Sequence, residues 1–205
     1  MTSAGLRRFR EPKVVIRAGE RCEMCAEPIA DQHSHIVNIE TRALQCSCRS
    51  CYLLFTSRAA AHGKQVAVPE RFRCDPHFAL ADAVWDSAGI PVSMAFLFVN
   101  SAQGETVAFY PSPAGATESM LPGDAWSELL ADNPAFADIE PDVEALLVMR
   151  GEDGFEGFLV PIDVCYELVG HVRLHWKGFD GGPAAWTVIN GFFDDLRARS
   201  ETVHG

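Results

Sequence analysis

Apolar and polar positions recur along the chain with two periods, and the switch between them separates predicted strands from predicted helices. "VSMAFLFVN" at residues 92–100 is apolar enough for a central strand, and "GETVAFYPS" at 104–112 pairs with it across the short turn "SAQG". Pro111 and Pro113 close that hairpin region. "VEALLVMR" at 143–150 predicts a third strand, whose turn "GEDG" leads into "FEGFLVP" at 155–161. A helix is predicted over "FALADAVWDSAG" at 78–89, closed by Gly89 at the C′ position. Another runs over "AWSELLADN" at 125–133, with Asp124 as its N-cap or first-turn acid and Pro134 as its stop. Two longer helices follow, "IDVCYELVGHVRLHW" at 162–176 and "AAWTVINGFFDDLRAR" at 184–199. This order predicts an α+β sandwich and not a wound β-α-β sheet.

Upstream, "HIVNIETRAL" at 35–44 carries Ile36, Ile39 and Leu44 at positions that support a short hairpin. Val66 and Val68, stopped by Pro69, predict one more short strand. The expected organisation is a basic arm over 1–19, a zinc-ribbon-like module over 20–76, an acidic α+β domain over 77–200 and a tail over 201–205. Charge supports the division. Residues 1–75 hold 12 Lys/Arg against 8 Asp/Glu, and residues 76–205 hold 5 against 20, within a net charge of −11. Phosphate binding rests on positive charge, so the acidic part argues against a nucleic-acid partner, and the thin positive charge of the first part does little to restore one. No stretch approaches the roughly 18 apolar residues of a membrane span. The twin arginine Arg7 and Arg8 is followed by no apolar signal region, so the expected compartment is the cytoplasm, where thiols stay reduced.

Five of the seven cysteines fall within thirty residues. Cys22 with Cys25, and Cys48 with Cys51, form two C-x2-C knuckles, and each such turn lets both sulfurs face one point. Four thiolates arranged in this way suit one tetrahedral zinc. The 22 residues between the pairs are a small extension of the usual spacing, and loop closure costs rise only slowly with length. Cys46 is a third thiol on the second side, in C-x-C-x2-C. It can replace Cys48, or join a second site with His33, His35, Cys74 or His77. His33 and His35 alternate by two and share a strand face; His35, beside Ile36, is the preferred ligand of the two. Iron is the competing metal, as a rubredoxin-like centre or an iron-sulfur cluster. A rubredoxin-like knuckle usually carries glycine soon after each pair, and here Ala26 and Tyr52 stand there, which favours zinc.

Catalytic constellations are weaker. His171 and His175 are one helical turn apart, but Val172 stands where the glutamate of H-E-x-x-H would be. Cys165 lies in an apolar stripe with Leu168, Val169 and Val172 and reads as a core thiol. Cys74 and His77 read as packing residues. No phosphate loop or G-x-S-x-G elbow occurs, so no catalytic residue is assigned.

The segments "CEMC", "HSHIVNIETRALQCSCRSCYLLF" and "GFLVPIDVCYELVGHVRLHWKGFDGG" resemble an uncharacterised bacterial family of unknown function, over about residues 20–200. Genes of that family tend to lie among those for nickel-iron hydrogenases. Its C-x2-C, H-x-H and C-x-C-x2-C-x3-F pattern is matched by Cys22, Cys25, His35, Cys46, Cys48 and Cys51. The resemblance implies a genomic context, and the expected function is a non-catalytic accessory protein whose zinc module organises a binding surface while the acidic α+β domain engages a protein partner, a hydrogenase subunit or maturation factor. The competing expectation is a redox carrier that holds iron in the same cysteines.

Overall fold

The computed structural model describes residues 21–57, 60–119, 125–178 and 180–204. The basic arm expected over 1–19 and the Asp124 cap lie outside them. The described residues form two sheets with helices, an α+β fold as the patterning predicts.

The first sheet is the predicted hairpin plus one strand. β1 (Ser34–Asn38) pairs antiparallel with β2 (Ala43–Ser47), and β3 (Gln65–Ala67) pairs with the other edge of β1. Between β2 and β3 lies a short helix, α1 (Arg49–Leu54). A six-residue helix, under two turns, is too short to persist on its own, so tertiary contacts must hold it.

The second sheet has seven strands. It contains β4 (Arg73–Phe78), β5 (Met94–Asn100), β6 (Glu105–Ser112), β7 (Gly115–Ser119), β8 (Glu144–Arg150), β9 (Phe155–Pro161) and β10 (Glu201–Thr202) in the order β10-β4-β9-β8-β5-β6-β7. All neighbours are antiparallel except β10 and β4. The helices are α2 (Asp82–Ser87), α3 (Ala125–Asp132), α4 (Ile162–His175) and α5 (Gly182–Arg199). They explain why β5 and β8 read as continuous apolar runs, because both faces of the sheet are covered. Met94, Phe96, Leu147 and Phe158 pack with Leu168 and Val172 of α4 and Ile189 and Phe193 of α5. Ala95, Leu97, Leu146 and Val148 face the other way, against Trp85 of α2, Leu129 of α3 and Phe136. The expected sandwich is thus a sheet between two helical layers.

Four boundaries differ from the sequence reading. The helix expected over 78–89 is confined to Asp82–Ser87, because Phe78 ends strand β4. Pro111 does not end its hairpin but sits inside β6 opposite Ala116 of β7 and past Phe109, where the ladder with β5 ends, so on that side the strand is an edge and a missing N–H is tolerated. Residues 201 and 202 are an edge strand beside β4, with Val203 N–H bonded to Cys74 O at 2.9 Å, where a tail was expected. Residue 76, where the charge count ends the small module, falls inside β4 of the large sheet.

The small sheet shares a core with the large one. Side chains alternate across β1, so Val37 faces the same way as His35, and Val37, Val66 and Val68 join the cluster that contains Phe96, Phe158 and Ile162. The connecting segment is also clamped electrostatically. Arg71 donates to both oxygens of the fully buried Glu144 at 2.5 and 2.7 Å and to Asp138 at 2.7 Å. Hydrogen bonds from Arg73, strengthened by those from Arg71, hold the Asp138 carboxyl below the usual range in spite of partial burial.

Candidate metal centre

Two knuckles converge at the C-terminal end of β2. In the first, Ala26 N–H returns to Cys22 O and Cys22 N–H reaches Glu27 O, both at 2.8 Å. This tight turn puts Ala26 in the left-handed region at φ 64°, a conformation that glycine adopts more easily. Glu23 fastens the turn to β2: its N–H donates to Cys46 O, and its carboxylate accepts from Cys46 N–H, each at 2.9 Å. The second knuckle is the start of α1. Cys48 is the N-cap, and its sulfur accepts from Cys51 N–H at 3.5 Å.

Cys22, Cys25, Cys48 and Cys51 therefore come together, with their sulfurs all within 4.8 Å of one another. The Cys25 and Cys48 sulfurs are 3.7 Å apart. Cys22 is buried and Cys25 is exposed, so the cluster has one inner and one outer edge. The four can hold one metal ion.

The local electrostatics favour giving up protons at one thiol first. Burial opposes ionisation of Cys22, but hydrogen bonds from the backbone at Cys48, Cys25 and Met24 outweigh it and lower its pKa to about 6. Cys51 is pushed up to about 12, by burial and then by the neighbouring thiols Cys25, Cys48 and Cys22.

Cys46 stands outside this group. It is the direct partner of His35 across the β1–β2 ladder, so both side chains leave the same face of the sheet. His33, His35 and Cys46 place one ligand atom each within 4.8 Å of the others. The His33 and His35 ring centroids are 4.7 Å apart. Cys74 and His77, the other candidates for a second site, are elsewhere: Cys74 lies in the main core opposite Phe158, with its pKa raised to about 11 by burial, and His77 is exposed on β4. Cys165 is fully buried between α4 and the sheet, and burial pushes its thiol well up. His171 rests edge-on against Phe192, 6.0 Å between centroids, and joins no metal-competent group among the described residues.

One contact at this face has no sequence signal. Asp163, in the first turn of α4, accepts from His35 Nδ1 at 2.7 Å across 128 positions of chain. Only the docking of the small sheet on α4 creates it.

Residues 21–200 match the model of a family of unknown function, DUF5947, and the chain belongs to that family. No curated protein and no solved structure matches it.

Proposed function

We propose that this DUF5947 member is a non-catalytic accessory protein that holds one structural zinc in Cys22, Cys25, Cys48 and Cys51 and uses the module so stiffened to engage a protein partner. The carrying observation is the 3.7 Å separation of the Cys25 and Cys48 sulfurs. A tetrahedron with zinc–sulfur bonds of about 2.3 Å has edges of about 3.8 Å, so these two thiols already stand at a coordination spacing. A closed set of four sulfurs leaves no open position for substrate, which is the character of a structural site.

The docking part of the reading rests on α1. Its cap is a proposed ligand, and it presents Leu53 and Leu54 at 54% and 66% exposure beside Cys51. Adjacent exposed leucines on a metal-capped helix suit an apolar contact with another protein. The proposed partner class, a nickel-iron hydrogenase subunit or maturation factor, is carried over from the gene context that the resemblance implies. The test is anaerobic co-purification from the native cell with the wild-type chain and the Leu53→Ser/Leu54→Ser double variant as baits. Enrichment of hydrogenase components by the wild type, reduced in a variant that keeps its zinc, is the expected result. Equal recovery by both baits would remove α1 from the account, and no hydrogenase component on either would remove the partner.

A further inference from the structure

We infer that His33, His35 and Cys46 form a second metal site, a three-ligand centre for a late first-row divalent cation of the zinc class, separate from the four-thiol site and independent of the reading of that site.

Both imidazoles are oriented as ligands. A carboxylate oxygen can only accept, so the 2.7 Å contact with Asp163 Oδ2 places a proton on His35 Nδ1 and leaves the lone pair on Nε2. The other oxygen of Asp163 is fixed by Val164 N–H at 2.9 Å, at the start of α4. The carbonyl of Ala30 does the same for His33, accepting from its Nδ1 at 2.9 Å. Metal-bound histidine characteristically gives its second nitrogen to a carboxylate or a backbone carbonyl, and here one ring has each kind of support.

The Nε2 atom of His33 is buried and has no hydrogen-bond partner among the described residues. A buried imidazole nitrogen with an unused lone pair is costly unless something fills it. His35 and Cys46 are the ligand-bearing neighbours, one ligand atom of each of the three residues lying within 4.8 Å of the others. Neither His35 Nε2 as a second lone pair nor a weakly donating thiol is a good hydrogen-bond complement, whereas a cation satisfies all three at once.

Two imidazoles and one thiolate suit zinc, cobalt(II) or nickel(II) better than magnesium or calcium, which prefer oxygen. Three protein ligands leave a fourth position. His33 and His35 also line an open groove together with Asp31, Glu70, Asp163, Glu167 and Arg199, a net acidic approach to the two rings, although His33 Nε2 itself is buried and Cys46 is not part of that lining. An exchangeable cation is expected, in contrast to the closed four-thiol site.

The test is metal titration of the untagged, full-length, reduced chain with Zn2+ and separately with Co2+, after a wash with a mild chelator. The expected result is one equivalent that survives the wash and a second that is taken up on titration. Co2+ in the second site should add tetrahedral visible bands with weaker thiolate charge transfer than the four-sulfur site gives. Cys46→Ser and His33→Ala should each abolish the second uptake and keep the first equivalent, which also reports that the module is folded. Asp163→Asn should weaken the second uptake by about 10- to 100-fold, as loss of an outer-shell partner does. Saturation with no equivalent that depends on Cys46 and His33, or a second equivalent that persists in both the Cys46 and His33 variants, would overturn the inference. Loss of the first equivalent from the wild type would instead count against the four-thiol reading and leave this one standing.

Discussion

The sulfur of Cys48 caps helix α1 by accepting the N–H of Cys51, and the same sulfur stands 3.7 Å from that of Cys25 in the opposite knuckle. Local helix formation and the long-range closure of the module thus meet at one atom. A six-residue helix has no independent stability, so α1 should exist only while this junction is held.

The first expectation concerns that junction. Cys25→Ser and Cys48→Ser should each lose the tightly held metal and unfold the segment around α1, because structural zinc contributes on the order of 10–16 kcal/mol to folding. Cys46→Ser should keep it. Elemental analysis together with amide exchange over residues 49–54 separates the outcomes. Equal loss of the tight metal in the Cys46 and Cys48 variants would mean a cluster or a shared site.

Ala26→Gly should stabilise the metal-bound chain by about 0.5–1 kcal/mol. Ala26 sits at φ 64°, where a Cβ is strained, although glycine returns some of the gain through a more flexible unfolded chain. A thermal melt that shows no rise in midpoint would place the strain elsewhere.

Without metal the closed form of the cysteine module is a minor population, and its share should rise with pH and then fall. Cys22 has a folded pKa of about 6, below the ordinary 9.0. Its contribution is fully present above pH 9 and is lost as pH falls through about 6. Cys51 works the other way, with a folded pKa of about 12, so its contribution is present below pH 9 and is lost as pH rises toward 12. Amide-exchange protection over residues 49–54 of the chelator-stripped chain should therefore peak near pH 9. A monotonic decline from pH 6 upward would contradict the depressed Cys22.

Gly157→Ala should destabilise the large domain by about 1–3 kcal/mol through overpacking. A Cβ at this position would lie 2.3 Å from the Phe78 ring, which crosses β9 where the β4–β9 register shifts. Denaturant unfolding measures the loss, and Gly157→Ala combined with Phe78→Leu should recover part of it.

Much of this architecture is legible in local pattern. The apolar runs in "VSMAFLFVN" and "FEGFLVP" mark β5 and β9, and the C-x2-C spacings mark both knuckles, because each feature depends on neighbours a few residues apart. What is illegible depends on docking. Asp163 reads as an ordinary first-turn acid of α4 until the small sheet brings His35 to it. His33 reads as the weaker of two histidines until the Ala30 carbonyl turns its Nε2 inward. The edge strand at 201–202 is too short to carry a pattern, and it pairs only because α5 returns the chain to β4.

The most direct measurement is elemental analysis with an absorption spectrum of the untagged chain, purified anaerobically and washed with a mild chelator. The account predicts one retained equivalent of zinc and no visible absorption, as expected for a closed four-thiolate site. Less than about half an equivalent of zinc, with iron in its place and visible thiolate–iron bands, would contradict it and make the same four cysteines a redox centre.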